Sequence, residues 1–476
     1  MFPSKNKWLT FMVVAAGVFM STLDSSMVNI ALPSMMNEFS SSLHHTEWVV
    51  MVYLLTITAS LLFWGHLSDR LGRGRIYSSG MLTFGLGSLA CAYSPQLSWL
   101  IFFRFAQALG AAMMMSTGPA IIKDTFPKEQ LGRGLGLIGV AVSLGLMSGP
   151  AIGGVLIDLA SWRAIFWVTV PIGLFIALFG RHLLPPGPDK KSSAPLDWLG
   201  GLCWACALLL LALAITNASQ TAWDKTTWFG TLLLAGCALL LFIKIENTVP
   251  YPLLQLSLFG KRFFTMGIIS ATLSFMLLFA AILLTPFYLV KVQQLSASRT
   301  GLVMMALPSS LMVVAPLAGW LADRLEARLL TTSGLALSTG GIFLLSTIEP
   351  QTSPTSIALR LLIIGCGQAL FLSPNSASVL GRVEREQTGS AAAILATARN
   401  LGMLLGIAQA ALVFSLYFRT LTNGLDLKDF SPEQVGSFMI SLRGAFQAGA
   451  CTGILGMATS WVRGTSSRKG EERSSV

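Results

Sequence analysis

The sequence predicts an all-α membrane protein: fourteen spanning helices arranged as two related six-helix bundles with two further helices between them. Three observations carry this expectation. The chain of 476 residues is 53% hydrophobic and only 11% charged, with a mean hydropathy of +0.69, where soluble domains average about 25% charged residues. Apolar runs long enough to bridge a bilayer, which takes about 20 residues, alternate with short loops rich in Gly, Pro, Lys and Arg. Finally, landmarks recur in order at separations of 253 to 257 residues: Pro33 with Pro286, Asp69-Arg70 with Asp323-Arg324, Arg104 with Arg360, and the Gly145/Gly149 pair with Gly402/Gly406.

The spans are expected near 8–30, 46–66, 76–93, 98–121, 134–158, 162–184, 197–216, 226–244, 263–290, 299–321, 331–348, 356–378, 389–414 and 437–461. All should be helical, because hydrocarbon offers backbone groups no water to bond. The implied organisation is a first bundle (1–184), a linker with two inserted helices (185–254), a second bundle (255–463) and a polar tail (464–476). With both termini inside, the outer loops hold only Arg163, Lys225, Lys291, Arg299, Arg419 and Lys428. Four arginines (Arg104, Arg360, Arg399, Arg443) fall within spans, and the other 22 basic residues lie on the inner side. That asymmetry predicts cytoplasmic termini in a bacterial cytoplasmic membrane.

A net charge of +11 and a pI near 9.6 do not indicate a nucleic-acid partner, since the basic residues sit in topology-setting loops. Cys203 and Cys206 form a C-x-x-C within an apolar run, a poor setting for redox chemistry. Lys5 and Lys7 precede an apolar stretch too long for a signal peptide, so it reads as an uncleaved first span. No nucleotide loop, metal motif or nucleophile-base arrangement stands out, so no enzyme, cofactor or metal is expected. His44, His45 and Glu47 in the first outer loop read as solvated groups.

The chemistry is concentrated in a few residues. Asp24 is the one carboxylate deep in a hydrocarbon-length run, and an ionisable group there is costly and usually has a task. On a helical wheel Ser21, Asp24, Ser25 and Asn29 share a face, expected to line an aqueous cavity. Arg104, with Gln107 one turn deeper, is expected to pair with Asp24, because a buried guanidinium needs a carboxylate or carbonyls. Asp158 is a secondary candidate for proton entry. The loop Gly65–Arg75, with Gly65, Asp69, Arg70, Gly72 and Arg73, and its repeat at Asp323 and Arg324, reads as a gate between rocking halves. Gly145, Gly149, Pro150, Gly153 and Gly154 give the fifth span a small face for close helix contact. Met113, Phe275, Phe279 and Tyr288 supply a soft apolar surface for cargo, to which Ser25, Asn29, Gln107 and Arg399 add polarity.

LDSSMVNIALP (Leu23–Pro33), GHLSDRLGRGR (Gly65–Arg75), RFAQALGAA (Arg104–Ala112) and GLMSGPAIGG (Gly145–Gly154) together resemble the major facilitator superfamily. Within it the chain is similar to the fourteen-helix drug:proton antiporters of the quaternary-ammonium-resistance type. The resemblance implies Asp24 as the first-span proton or substrate residue, Arg104 as the fourth-span basic residue, the Asp69 loop as the cytoplasmic gate and the Gly149-Pro150 segment as the antiporter motif. Spans nine to fourteen depart from polyspecific relatives in holding no deep acid. The expected function is proton-coupled efflux of amphipathic, cationic drugs or biocides by alternating access. A dedicated exporter of one metabolite, siderophore, lipid or organic acid is the alternative, and a non-transporting membrane sensor or scaffold a remote one. Partners would be a small-molecule substrate, protons and membrane lipid, with a monomer sufficient for the task.

Overall fold

A computed structural model describes residues 7–127, 130–184, 197–218, 224–250, 252–322, 324–384 and 387–464. Among them run fourteen long helices: α1 (Lys7–Glu38), α2 (Trp48–Leu71), α3 (Arg73–Ala92), α4 (Leu97–Thr125), α5 (Leu131–Leu159), α6 (Ala164–Leu183), α7 (Trp198–Asn217), α8 (Lys225–Glu246), α9 (Arg262–Phe287), α10 (Ala297–Met304 and Ala306–Ala322), α11 (Ala327–Leu345), α12 (Pro354–Leu380), α13 (Thr388–Leu421) and α14 (Val435–Val462). Each expected span overlaps one of them and runs past its ends by at most three residues. A one-turn helix, Leu43–Thr46, capped by Ser42, was not foreseen between α1 and α2.

Among the described residues, eleven helical stretches are long and apolar enough to cross a membrane. The exceptions are α3, α6 and α14. In α3 and α14 glycine, serine and arginine dilute the hydropathy; in α6 the stretch Ala164–Leu178 is apolar but short.

The repeat read from sequence is also a repeat of packing. In the first half α1 lies on α5, α3 on α4, α2 on α4 and α3 on α6. In the second half α9 lies on α13, α11 on α12, α10 on α12 and α11 on α14. Glycines set both seams. A Cβ at Gly80 would stand 2.9 Å from the Gly110 carbonyl, and one at Gly334 would stand 2.7 Å from that of Gly367. Gly87 faces Gln107 as Gly341 faces Ile364; Gly145 faces Phe19 as Gly402 faces Thr272. Small residues let helices approach where no hydrophobic drive separates protein from lipid.

These contacts correct one expected correspondence. Gly110 matches Gly367 and Gln107 matches Ile364, so α4 and α12 align at a separation of 257 residues. The counterpart of Arg104 is then the fully buried Leu361. Arg360 lies one residue out of register, turned by about 100° on a helix of 3.6 residues per turn.

The halves meet along two seams, α5 against α10 and α2 against α13. Helices α7 and α8 pack on each other, and α7 leans on α2 and α13, so the inserted pair flanks the second seam. There the Trp204 indole donates to the Thr58 carbonyl at 3.2 Å. One end of the bundle carries residue 7, residue 462 and the Asp69–Arg73 turn and is called the termini face. The opposite end, with the α1–α2 corner and the start of α10, is the far face.

Candidate functional site: a buried charge network in the first bundle

Asp24 and Arg104 are both fully buried, 0% exposed. Arg104 Nη1 donates to Asp24 Oδ2 at 2.6 Å and to Gln107 Oε1 at 2.6 Å, and Arg104 Nε donates to the Val49 carbonyl at 3.2 Å. Gln107 Nε2 donates to Asp24 Oδ1 at 3.0 Å and to Ser88 Oγ at 2.6 Å. Ser88 bonds Thr169 at 2.8 Å, and Ser21 bonds the Tyr53 hydroxyl at 3.0 Å. The guanidinium lies 4.1 Å from the Tyr53 ring centre and 5.7 Å from that of Phe166.

One connected set of polar groups thus joins α1, α2, α3, α4 and α6. Gly87 makes it reachable: any side chain there would collide with the Gln107 backbone, 2.7 Å away. Two opposite charges removed from water repay their desolvation only with good geometry and further hydrogen bonds. Here the carboxylate has a donor on each oxygen, and the guanidinium has two oxygen acceptors besides the carboxylate and the Tyr53 ring beneath it, while its Nη2 is buried without a hydrogen-bond partner.

The structure brings Asp24, Arg104 and Gln107 together, which corrects two expectations. Gln107 belongs to the charge network and does not line a cargo surface. The face Ser21, Asp24, Asn29 is buried among helices; only Ser25 is part-exposed. Asn29 turns back to donate to the Ser25 carbonyl at 2.9 Å. Sequence reading missed Tyr53, Ser88, Thr169 and the Val49 carbonyl. The hydroxyls of Tyr53, Ser88 and Thr169 in apolar runs were the signal that could have found them.

The expected cargo residues do not converge. Met113 sits against Gly80 on the α3 side, and Phe275 packs its Cβ against Gly402 of α13. Phe279 is buried. Tyr288 is pinned at the far face, donating to the Glu349 carbonyl at 2.7 Å and accepting from Gln293 at 2.9 Å. Arg399 donates to Ser376 Oγ at 2.6 Å, while its Nε is buried without a partner. An apolar groove between α1 and α6, lined by Leu9, Met12, Val13, Pro171, Ile172 and Phe175, contains none of these residues.

At the termini face, Gly72 takes φ = 100°, a conformation that favours glycine, and turns α2 into α3. The turn aims Arg73 at Asp69, 2.9 Å away, and at Asp124 of α4, 2.6 Å away. Asp124 is a partner that sequence reading missed. Gly65 has open space around its Cα and Arg70 is part-exposed. Arg324 lies over Trp320 at 3.8 Å; Asp323 falls outside the described residues.

Helix α5 runs unbroken through Pro150. Gly145, Gly149 and Gly153 face Thr22, Ser26 and Met27 of α1, and Ser26 Oγ donates to the Gly145 carbonyl at 3.2 Å. Gly154 faces Ala297, and the Pro150 carbonyl faces Gly301, so the same helix also touches the other half. Just beyond, Asp158 accepts hydrogen bonds from the backbone nitrogens of Ala297 (3.0 Å) and Ser298 (2.9 Å). Asp158 therefore caps the first turn of α10 across the seam, where the positive helix end favours an anion, while its side chain stays exposed. Lys291 adds a second tie, donating to Asn37 Oδ1 at 2.7 Å. Among the described residues, the hydrogen bonds joining the two bundles all lie at the far face.

Comparison with known proteins agrees with this architecture. The model of the Major Facilitator Superfamily matches residues 14–407. The riboflavin transporter RibZ of Clostridioides difficile is 34% identical over 87% of this chain and 89% of its own. The multidrug resistance protein Stp of Mycobacterium tuberculosis is 29% identical over 85% of this chain and 75% of its own. Among solved structures, a bacterial homolog of the human lysosomal transporter Spinster, in an inward-facing and unoccupied conformation, superposes with a TM-score of 0.72 at 15% identity, covering 96% of this chain and 97% of that one. A two-half helical bundle with these relatives is not an enzyme, and the chain belongs to the Major Facilitator Superfamily of membrane transporters.

Proposed function

We propose that the chain is a proton-coupled exporter of amphipathic, cationic drugs or biocides, built on fourteen membrane-spanning helices with both termini in the cytoplasm. The observation that carries this reading is the sealed Asp24–Arg104–Gln107 network. In the reading, the units are 1–184, 185–254, 255–463 and 464–476, and the excess of lysine and arginine makes the termini face cytoplasmic. The ties from Asp158 and Lys291 then close the outer side, and Arg73 with Asp69 and Asp124 steadies the inner rim of the first half.

Coupling follows from the electrostatics. While Asp24 is ionised, the pair with Arg104 holds α1 to α4. A proton on Asp24 cancels that attraction and leaves the guanidinium with Gln107, the Val49 carbonyl and the Tyr53 face. The two protonation states therefore favour different placements of α1, and α1 reaches α5 and its antiporter-motif glycines. Outward-facing, Asp24 takes a proton and cargo leaves; inward-facing, the proton departs and new cargo is admitted. Purified protein in vesicles should move cargo under an imposed ΔpH, and the Asp24→Asn variant should express but move none. Active transport by that variant would reject the coupling role.

A second reading, a dedicated exporter of one metabolite, is favoured by the riboflavin transporter among the relatives. Transport of a single compound from a panel of quaternary ammonium salts, ethidium, neutral antibiotics and riboflavin would select it.

A further inference from the structure

The α1–α2 corner holds a second buried carboxylate, which the scheme above does not use. Glu47, expected from sequence to be solvated, is only 1% exposed, and its neighbour His44 only 8%. Glu47 heads α2 without capping it. Its Oε1 lies 3.7 Å from His44 Nδ1, too far for a hydrogen bond, and its Oε2 is buried with no partner.

The corner sits where three parts of the molecule meet. Asn217 from α7 reaches His44, and Arg419 with Asp426, from the far end of α13 and the loop after it, acts on His44 electrostatically. Arg419 and Asp426 also pair with each other at 3.1 Å. His45 stacks edge-on at 5.0 Å from His44 and is bonded through Nδ1 to Ser42 Oγ at 2.8 Å. The end of α1 brings Glu38, which is held by Arg163 and by the Trp162 indole. From α4 comes Arg104, committed to Asp24.

A carboxylate charge with a bare oxygen in such a place is paid for in desolvation, and the usual resolution is neutralisation. We propose that Glu47, with His44 beside it, is a second proton-binding site, occupied while the far ends of the two halves are together and emptied when they part. On separation α13 and α7 leave the corner and water enters. The carboxyl O–H bond then breaks, its electron pair stays on the carboxylate and the proton passes to water. Two residues further on, the Val49 carbonyl accepts from Arg104, so the first turn of α2 touches both proton sites. Occupancy of Glu47 does not depend on the export reading; only the link to Asp24 rests on it.

Infrared spectroscopy of the full chain in lipid nanodiscs at neutral pH tests this. The native protein should show the carbonyl band of a protonated carboxylic acid. Glu47→Gln should lose it, and Asp24→Asn should keep it. Absence of the band in native protein would overturn the proposal without any variant. So would its undiminished persistence in folded Glu47→Gln, where the buried Glu246 can add a band of its own, or its loss in Asp24→Asn alone.

Discussion

The two bundles share one packing scheme and differ in what they bury at equivalent places. The glycine contacts align Asp24 with Leu277, Arg104 with Leu361 and Gln107 with Ile364, and all six side chains are buried. Where the first bundle spends its core on an ion pair and an amide, the second uses aliphatic residues. The polar contacts near there are neutral: Ser338 donates to the Ile364 carbonyl at 3.1 Å and Ser274 to Gln368 at 2.7 Å. The comparison teaches that the fold needs the small-residue seams and not the charges: the second bundle closes without them. In the proposed reading the charge network is a functional addition to one half of a symmetric scaffold.

The sharpest way to break this contrast is to make the first half resemble the second. An Asp24→Leu or Arg104→Leu change alone should cost about 3–5 kcal/mol, because each leaves a buried charge without its partner. The double change should restore stability to near the native level, since apolar residues of similar volume often replace a buried pair without loss. Thermal unfolding in detergent reads this, and the double variant should fold yet transport nothing. A double variant as unstable as the singles would mean that the charges do hold the fold.

The shared seams should fail alike. Gly149→Val would drive a side chain into Ser26 and the Leu23 carbonyl, and Gly406→Val into Met276. Each overpacking should cost about 1–3 kcal/mol, visible as a lower melting temperature. A large loss in only one bundle would show that the seams are not equivalent. Smaller still, Tyr53→Phe removes the bond to Ser21 but keeps the ring over Arg104. It should cost about 1 kcal/mol and leave transport largely intact.

How much of this was legible in the sequence depended on contrast. Asp24 and Arg104 stand out because charge is rare in apolar runs, and no other deep acid was available to Arg104. The helices were legible for the same reason, since hydrocarbon permits little else. The register between halves was not: connections of unequal length let the separation drift from 253 to 257 residues, and only packing shows that Leu361, not Arg360, stands opposite Arg104. Cargo residues were the least legible, because Met113, Phe275 and Tyr288 have the same composition whether they line a chamber or fill a core. Glu47 was misread because four residues of helix, Leu43–Thr46, fold the corner inward, and nothing in LHHTEW announces that turn.

The most direct test of Asp24 as the site that couples protons to cargo is proton release on cargo binding, followed with a pH-indicator dye in weakly buffered detergent. Native protein should release protons when a transported cation is added, and Asp24→Asn should bind that cation and release none. Undiminished release from the Asp24→Asn variant would contradict the account.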